Sequence, residues 1–190
     1  MKRRLVFGCA LAAGLVLVGS AIYAAGRPVS PVSPLVEETR IQQGMAIAPV
    51  PLDTTGRDVR QVARGSYIVN AVGGCNDCHS CPSYAPGHNP FDGIGDGATN
   101  AANYLAGGID FGIAMSANLT PDENGLPHGL THDEFVSALR TGHDPHDDHV
   151  LQVMPWPVFR SMIDTDLDAV YQYLSSIPHA EPGECAGPGQ

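Results

Sequence analysis

Five consecutive residues, Cys75-Asn76-Asp77-Cys78-His79, constrain this chain more than any other part of its sequence. One tight turn brings two thiols to a single edge and then presents an imidazole beside them. That arrangement suits covalent attachment of a haem, in which each sulfur adds across a vinyl group and the histidine ligates the iron. The same spacing also occurs in zinc sites and by chance, so the pattern is read with its surroundings. It follows Gly73-Gly74 at the end of a helical pattern and lies downstream of an export-like N-terminus.

Composition agrees with a small body built around such a group. A hydrophobic content of 43% in 190 residues is enough for one globular core, while 22 glycines and 16 prolines predict long irregular loops. Aromatic residues make up only 6%, and a haem would supply core volume that the chain lacks. The formal charge of −10 is unevenly spread: from Ser66 onward Arg140 and Arg160 face sixteen Asp or Glu. So acidic a surface excludes nucleic acid and anionic lipid as partners and admits a basic protein.

Met1-Lys2-Arg3-Arg4 is a positive start followed by an uncharged run from Leu5 to Ala25. At about 1.5 Å per residue this run is long enough to cross a bilayer core of about 30 Å. Ile22-Tyr23-Ala24 matches a cleavage site poorly, so the segment reads as a retained anchor or a cleaved export signal. Cys9 precedes most of the apolar run, where a lipidation site should follow it. Arg27 to Thr55 carries Pro28, Pro31, Pro34, Pro49 and Pro51 without a period of 3.6 or 2, and reads as a tether or an irregular arm.

Three helices are expected around the motif. Arg57 to Ala71 places Val59, Val62, Ala63, Ser66 and Val69 near one face. Thr131 opens a second with Glu134 three residues on, a capping-box pattern, and Gly142 stops it. The third runs from Thr165, through Leu167, Val170, Tyr171 and Leu174, to the stop at Pro178. No segment alternates as a strand, so the domain is expected to be all-α.

This order of features resembles the single-haem class I cytochrome c family, and bacterial cytochrome subunits of periplasmic dehydrogenases in particular. Arg64-Gly65-Ser66-Tyr67-Ile68-Val69 is similar to that family's first helix, and Ser116-Ala117-Asn118-Leu119-Thr120-Pro121-Asp122 to its haem-flanking loop. Thr131 to Gly142 resembles its middle helix and Met154-Pro155-Trp156-Pro157 its sixth-ligand segment. The likeness runs from Arg57 to Pro178; the long loop from Ser80 to Met115 and the tail beyond Pro178 depart from it. It implies a class I cytochrome c fold with long irregular loops around one covalent haem c. Residues 1–26 would then be the signal or anchor, 27–56 the Pro-rich tether or arm, and 57–190 the cytochrome domain.

The resemblance further implies an electron carrier with no catalytic residues of its own. It would work in the periplasm, anchored by residues 5–25, between a dehydrogenase donor and an oxidase or cytochrome acceptor. An integral subunit of a multi-protein dehydrogenase, or a haem sensor or peroxidase, are the alternatives. Cys75 and Cys78 would form the thioethers and His79 the proximal ligand. Met154, held before Pro155, is the first candidate for the sixth ligand and agrees with the family pattern. Met115 and His143 compete with it, and Met162 suits the core.

Three further groups stand out. His143, His146 and His149 alternate with Asp144, Asp147 and Asp148, a donor set for zinc or copper, but Pro145 interrupts any common helical face and a solvated acidic loop explains them equally. Trp156 reads as packing. With Cys9 in the export segment and the haem pair assigned, Cys81 and Cys185 remain, and two leftover thiols in an oxidising compartment are expected to pair. Gly65 is expected where the first and last helices cross, opposite Val170, Tyr173 and Leu174.

Overall fold

A computed structural model describes residues 33–185. Helix α1 covers Pro34–Ile47. Helix α2 covers Val59–Tyr67 and continues as a wider turn over Ile68–Val72, closed by the Gly73 amide donating to the Ile68 carbonyl. The short α3 is Cys75–His79, α4 is His132–Thr141, α5 is Trp156–Phe159 and α6 is Asp164–Leu174. Among the described residues the only β pairings are isolated bridges, such as Tyr84 with Thr99 and His143 with Val150. The described body is therefore helical without a sheet.

Local chemistry sets the helix ends. Asp58 accepts from the amides of Arg60 and Gln61 and caps α2. Thr131 and Glu134 form the reciprocal capping box expected of them, and α4 stops at Gly142 in left-handed backbone. The segment read as an irregular tether or arm is helical over Pro34–Ile47. Its prolines flank the helix: Pro34 sits at the start, where a missing amide does no harm, and Pro49 and Pro51 follow the end. The stretch between them is free of proline, and a count over the whole segment hid it.

The core forms where α2 and α6 cross. Val62, Val69, Leu167, Tyr173 and Leu174 are buried there, joined by Tyr104 and Leu105 from the long loop. Gly65 permits the close approach: a Cβ at this position would lie 1.9 Å from the Ala169 carbonyl oxygen and 2.7 Å from the Tyr173 Cβ. The opposing stripe is therefore Ala169 and Tyr173, four residues apart, whereas Val170 and Leu174 turn toward a neighbouring cavity. Helix α1 docks on α2 in the same manner, with Gly44 against the Ala63 main chain and its carbonyl accepting from the buried Ser66 hydroxyl at 2.7 Å. Arg64 ties all three helices, bonding Glu37 of α1 at 2.5 Å and Asp166 of α6 at 2.6 Å.

Cys81 and Cys185 form a disulfide with Cα atoms 5.4 Å apart, joining the C-terminal tail to the loop after α3. The tail is also held by the Gly183 amide donating to the Cys81 carbonyl, and by Asn103 and Asn118 donating to the carbonyls of Glu181 and Ala180. Asn118 thus secures the tail and takes no part in the cavity. Among the described residues no helix is long and apolar enough to cross a membrane, and the apolar run 5–25 lies outside them.

Candidate functional site

The haem-attachment pattern occupies α3, which starts directly after Gly74. The wide turn before it ends α2 against the core, and Ser80 fixes the other end. The buried Ser80 hydroxyl donates to the Asn76 side chain at 2.8 Å and accepts from the Leu105 amide at 2.7 Å. Gly107 donates to the His79 carbonyl at 2.7 Å, which sets the long loop behind the turn.

Cys75, Cys78 and His79 line one wall of a cavity of about 490 Å³, within the usual range for a small-molecule site. Its other walls come from distant parts of the chain. Leu130, Phe135, Ala138 and Leu139 approach from the α4 side, Leu151, Met154, Pro155, Phe159 and Met162 from the α5 region, and Val170 and Leu174 from α6. The lining is mostly apolar, as a flat hydrophobic macrocycle requires.

His79 is prepared as a ligand. Its Nδ1 lies 2.8 Å from the Ala117 carbonyl, which can only accept, so Nδ1 carries the proton and Nε2 presents its lone pair. Burial holds the imidazole below its ordinary pKa, although the Ala117 bond works in the opposite direction, so the neutral form dominates. Burial likewise pushes the Cys75 thiol up to about 11, and burial with the Asp77 carboxylate raises Cys78. Cys75, Cys78 and His79 do not converge on one point: among the described residues the group within reach of a single ion is His128, Asp144 and His146. Two thiols and an imidazole spread along a cavity wall fit a macrocycle better than an ion.

Met154, Met115 and Met162 all reach the cavity. Met154 packs against the core, while Met115 is 62% exposed. His143 lies away from this cavity and bonds Asp148 at 3.0 Å. Trp156 packs on Gly142, where a Cβ would overlap the indole, and does not line the cavity. His128, which sequence reasoning passed over, lines it together with Asp144 and His149.

No protein-family model matches the chain. It is 32% identical over 113 residues to the gluconate 2-dehydrogenase cytochrome c subunit of Pantoea cypripedii, covering 60% of this chain and 22% of that protein. It is 32% identical over 132 residues to the alcohol dehydrogenase (quinone) cytochrome c subunit of Gluconobacter oxydans, covering 67% of this chain and 26% of that one. This chain resembles the cytochrome c subunits of dehydrogenases. A diheme cytochrome c-type protein of Cereibacter sphaeroides is 28% identical over 136 residues, 67% of this chain and 41% of its own. The chain thus spans less than half the length of each of these relatives, and it carries C-x-x-C-H once.

Proposed function

We propose that the chain is a class I cytochrome c that binds one haem in this cavity and carries single electrons outside the cytoplasmic membrane. The carrying observation is His79 with its Nδ1 proton tied to Ala117 and its ring on the cavity wall beside Cys75 and Cys78. Those two thiols would hold the haem covalently, and His79 Nε2 would bind the iron. Met154 would supply the second haem ligand, because its side chain packs against the core while Met115 is mostly in solvent. The bound haem supplies reversible one-electron chemistry. This chain's residues orient it and exclude water with Phe135, Leu139, Leu174 and their neighbours, while the acidic surface offers a docking face to a basic partner. With His79 and Met154 both holding the haem, no position would remain for substrate, and the chain would serve as a carrier without a catalytic residue.

The donor is a dehydrogenase and the acceptor an oxidase or another cytochrome. Integral membership of a dehydrogenase complex is a second reading, supported by relatives named as cytochrome c subunits of such enzymes. Purification from native membranes separates the two: the carrier elutes alone, the subunit with a dehydrogenase. The ligand set is tested by Met154→Ala in the holoprotein. It should keep covalent haem, lose the Met–iron charge-transfer band and gain carbon monoxide binding. An unchanged spectrum, with the band lost instead in Met115→Ala, would refute the assignment.

A further inference from the structure

At the edge of the cavity, whose wall includes the first two of them, His128, Asp144 and His146 bring two imidazoles and a carboxylate together from two separate loops. We propose that they form a binding site for a divalent transition-metal ion of the zinc and copper class, built from none of the haem-attachment residues. One ligand atom from each residue lies within 4.8 Å of the others. His128 Nε2 is 3.7 Å from Asp144 Oδ2, and His146 Nδ1 is 2.8 Å from Asp144 Oδ1. The two rings stand edge to face, 5.0 Å apart. Donors bound tetrahedrally at about 2.0–2.2 Å sit roughly 3.3–3.6 Å from one another. The 3.7 Å pair is close to that spacing, while the 2.8 Å pair, a hydrogen bond from His146 to the carboxylate, must open and release its proton to solvent as the ion enters.

The hydrogen bonds already orient these donors. His128 Nδ1 lies 3.0 Å from the Asn118 carbonyl, which fixes the proton on Nδ1 and aims the Nε2 lone pair at the Asp144 carboxylate. Two acceptors then face each other, an arrangement that a cation between them relieves. His128 is held in left-handed backbone, with φ at 54, to reach that position. The Asp144 side chain is 13% exposed and is braced by the His146 amide at 2.8 Å. Two imidazoles and one carboxylate select zinc or copper over calcium or magnesium and leave a fourth position for water.

The surrounding histidines do not share the site. His143 is occupied by Asp148, and His149 by Asp147 at 2.5 Å. The ion would pin the loop that contains Asp144 and His146 to the 118–129 loop, and both loops contribute walls to the cavity.

The test uses the full haem-loaded chain, freed of metal by chelator and titrated with Zn²⁺ in a calorimeter, with Cu²⁺ as a paramagnetic probe. One Zn²⁺ per chain should bind, with a rise in melting temperature, and the Cu²⁺ spectrum should show nitrogen hyperfine coupling from two imidazoles. His146→Gln alters a half-exposed side chain, and His128→Asn keeps a residue tolerant of left-handed backbone. Each should weaken Zn²⁺ binding by about tenfold or more, while His143→Gln and His149→Gln leave it unchanged. The haem spectrum and circular dichroism of every variant verify folding. Absence of saturable uptake, equal binding in His146→Gln and His128→Asn, or a loss in His143→Gln or His149→Gln would each overturn the site.

Discussion

Gly65→Ala should lower the melting temperature of the haem-loaded chain by several degrees. The added Cβ would stand 1.9 Å from the Ala169 carbonyl oxygen, 2.6 Å from its carbonyl carbon and 2.7 Å from the Tyr173 Cβ. Carbon contacts are optimal at about 3.5–4.0 Å, so α2 and α6 must part by on the order of 1 Å. Overpacking of this kind typically costs about 1–3 kcal/mol, and the upper end applies because the obstacle is main chain. Replacing glycine in a helix returns about 1 kcal/mol. The net loss of about 2 kcal/mol corresponds to about 4–8 °C for a chain of this size. Thermal unfolding followed at 222 nm reads it. Ala169→Gly should not rescue the variant, because the carbonyl it meets remains. An unaltered melting temperature, or full rescue by Ala169→Gly, would refute the reasoning.

Other expectations follow from the same structure. Cys185→Ser removes a bridge spanning 104 residues, and a chain-entropy estimate puts its contribution at about 4–5 kcal/mol as an upper figure. Its melting temperature should fall to that of the parent under reductant, while an equal value for the oxidised parent would contradict this. Thr131→Ala should cost about 1 kcal/mol through the lost cap of α4, measurable by denaturant midpoint at constant slope. Partial burial lowers the His132 pKa, but hydrogen bonds to Asp168 at 2.7 Å and to Asp133 outweigh it, leaving the pKa raised. The folded state therefore binds the extra proton. Its stabilisation is full below about 6.5, the ordinary histidine value, and fades as pH rises through the raised one. His132→Gln should be less stable than the parent at pH 5.5 and converge with it at pH 9; a constant difference would exclude the linkage.

Features written in neighbouring residues were legible in the sequence. The short turn of Cys75–His79, the Thr131–Glu134 box and the stop at Gly142 are each complete within a few positions, and the Cys81–Cys185 pair followed from counting thiols. Features that depend on which distant segments meet were not. Helix α1 has a weak pattern of its own and gains its place from Gly44 against Ala63 and from the Glu37–Arg64 bond. At Gly65 the expected Tyr173 does oppose the glycine, but its companion is Ala169, and the expected Val170 and Leu174 line the cavity instead. His128 stands sixteen positions before Asp144, and no spacing rule joins them. The run of three loop histidines looked like one donor set, yet each has its own aspartate and only His146 meets a second imidazole.

The wide turn at Ile68–Val72 has the form of a helix with one residue too many. A turn of this kind absorbs one extra residue and leaves the winding on either side in phase. A single in-frame deletion within 68–72 would therefore remove the bulge and keep Cys75, Cys78 and His79 on the cavity wall. An insertion there has no bulge left to absorb it, and at about 100° per residue it would swing the three side chains off the wall together, with the motif itself intact.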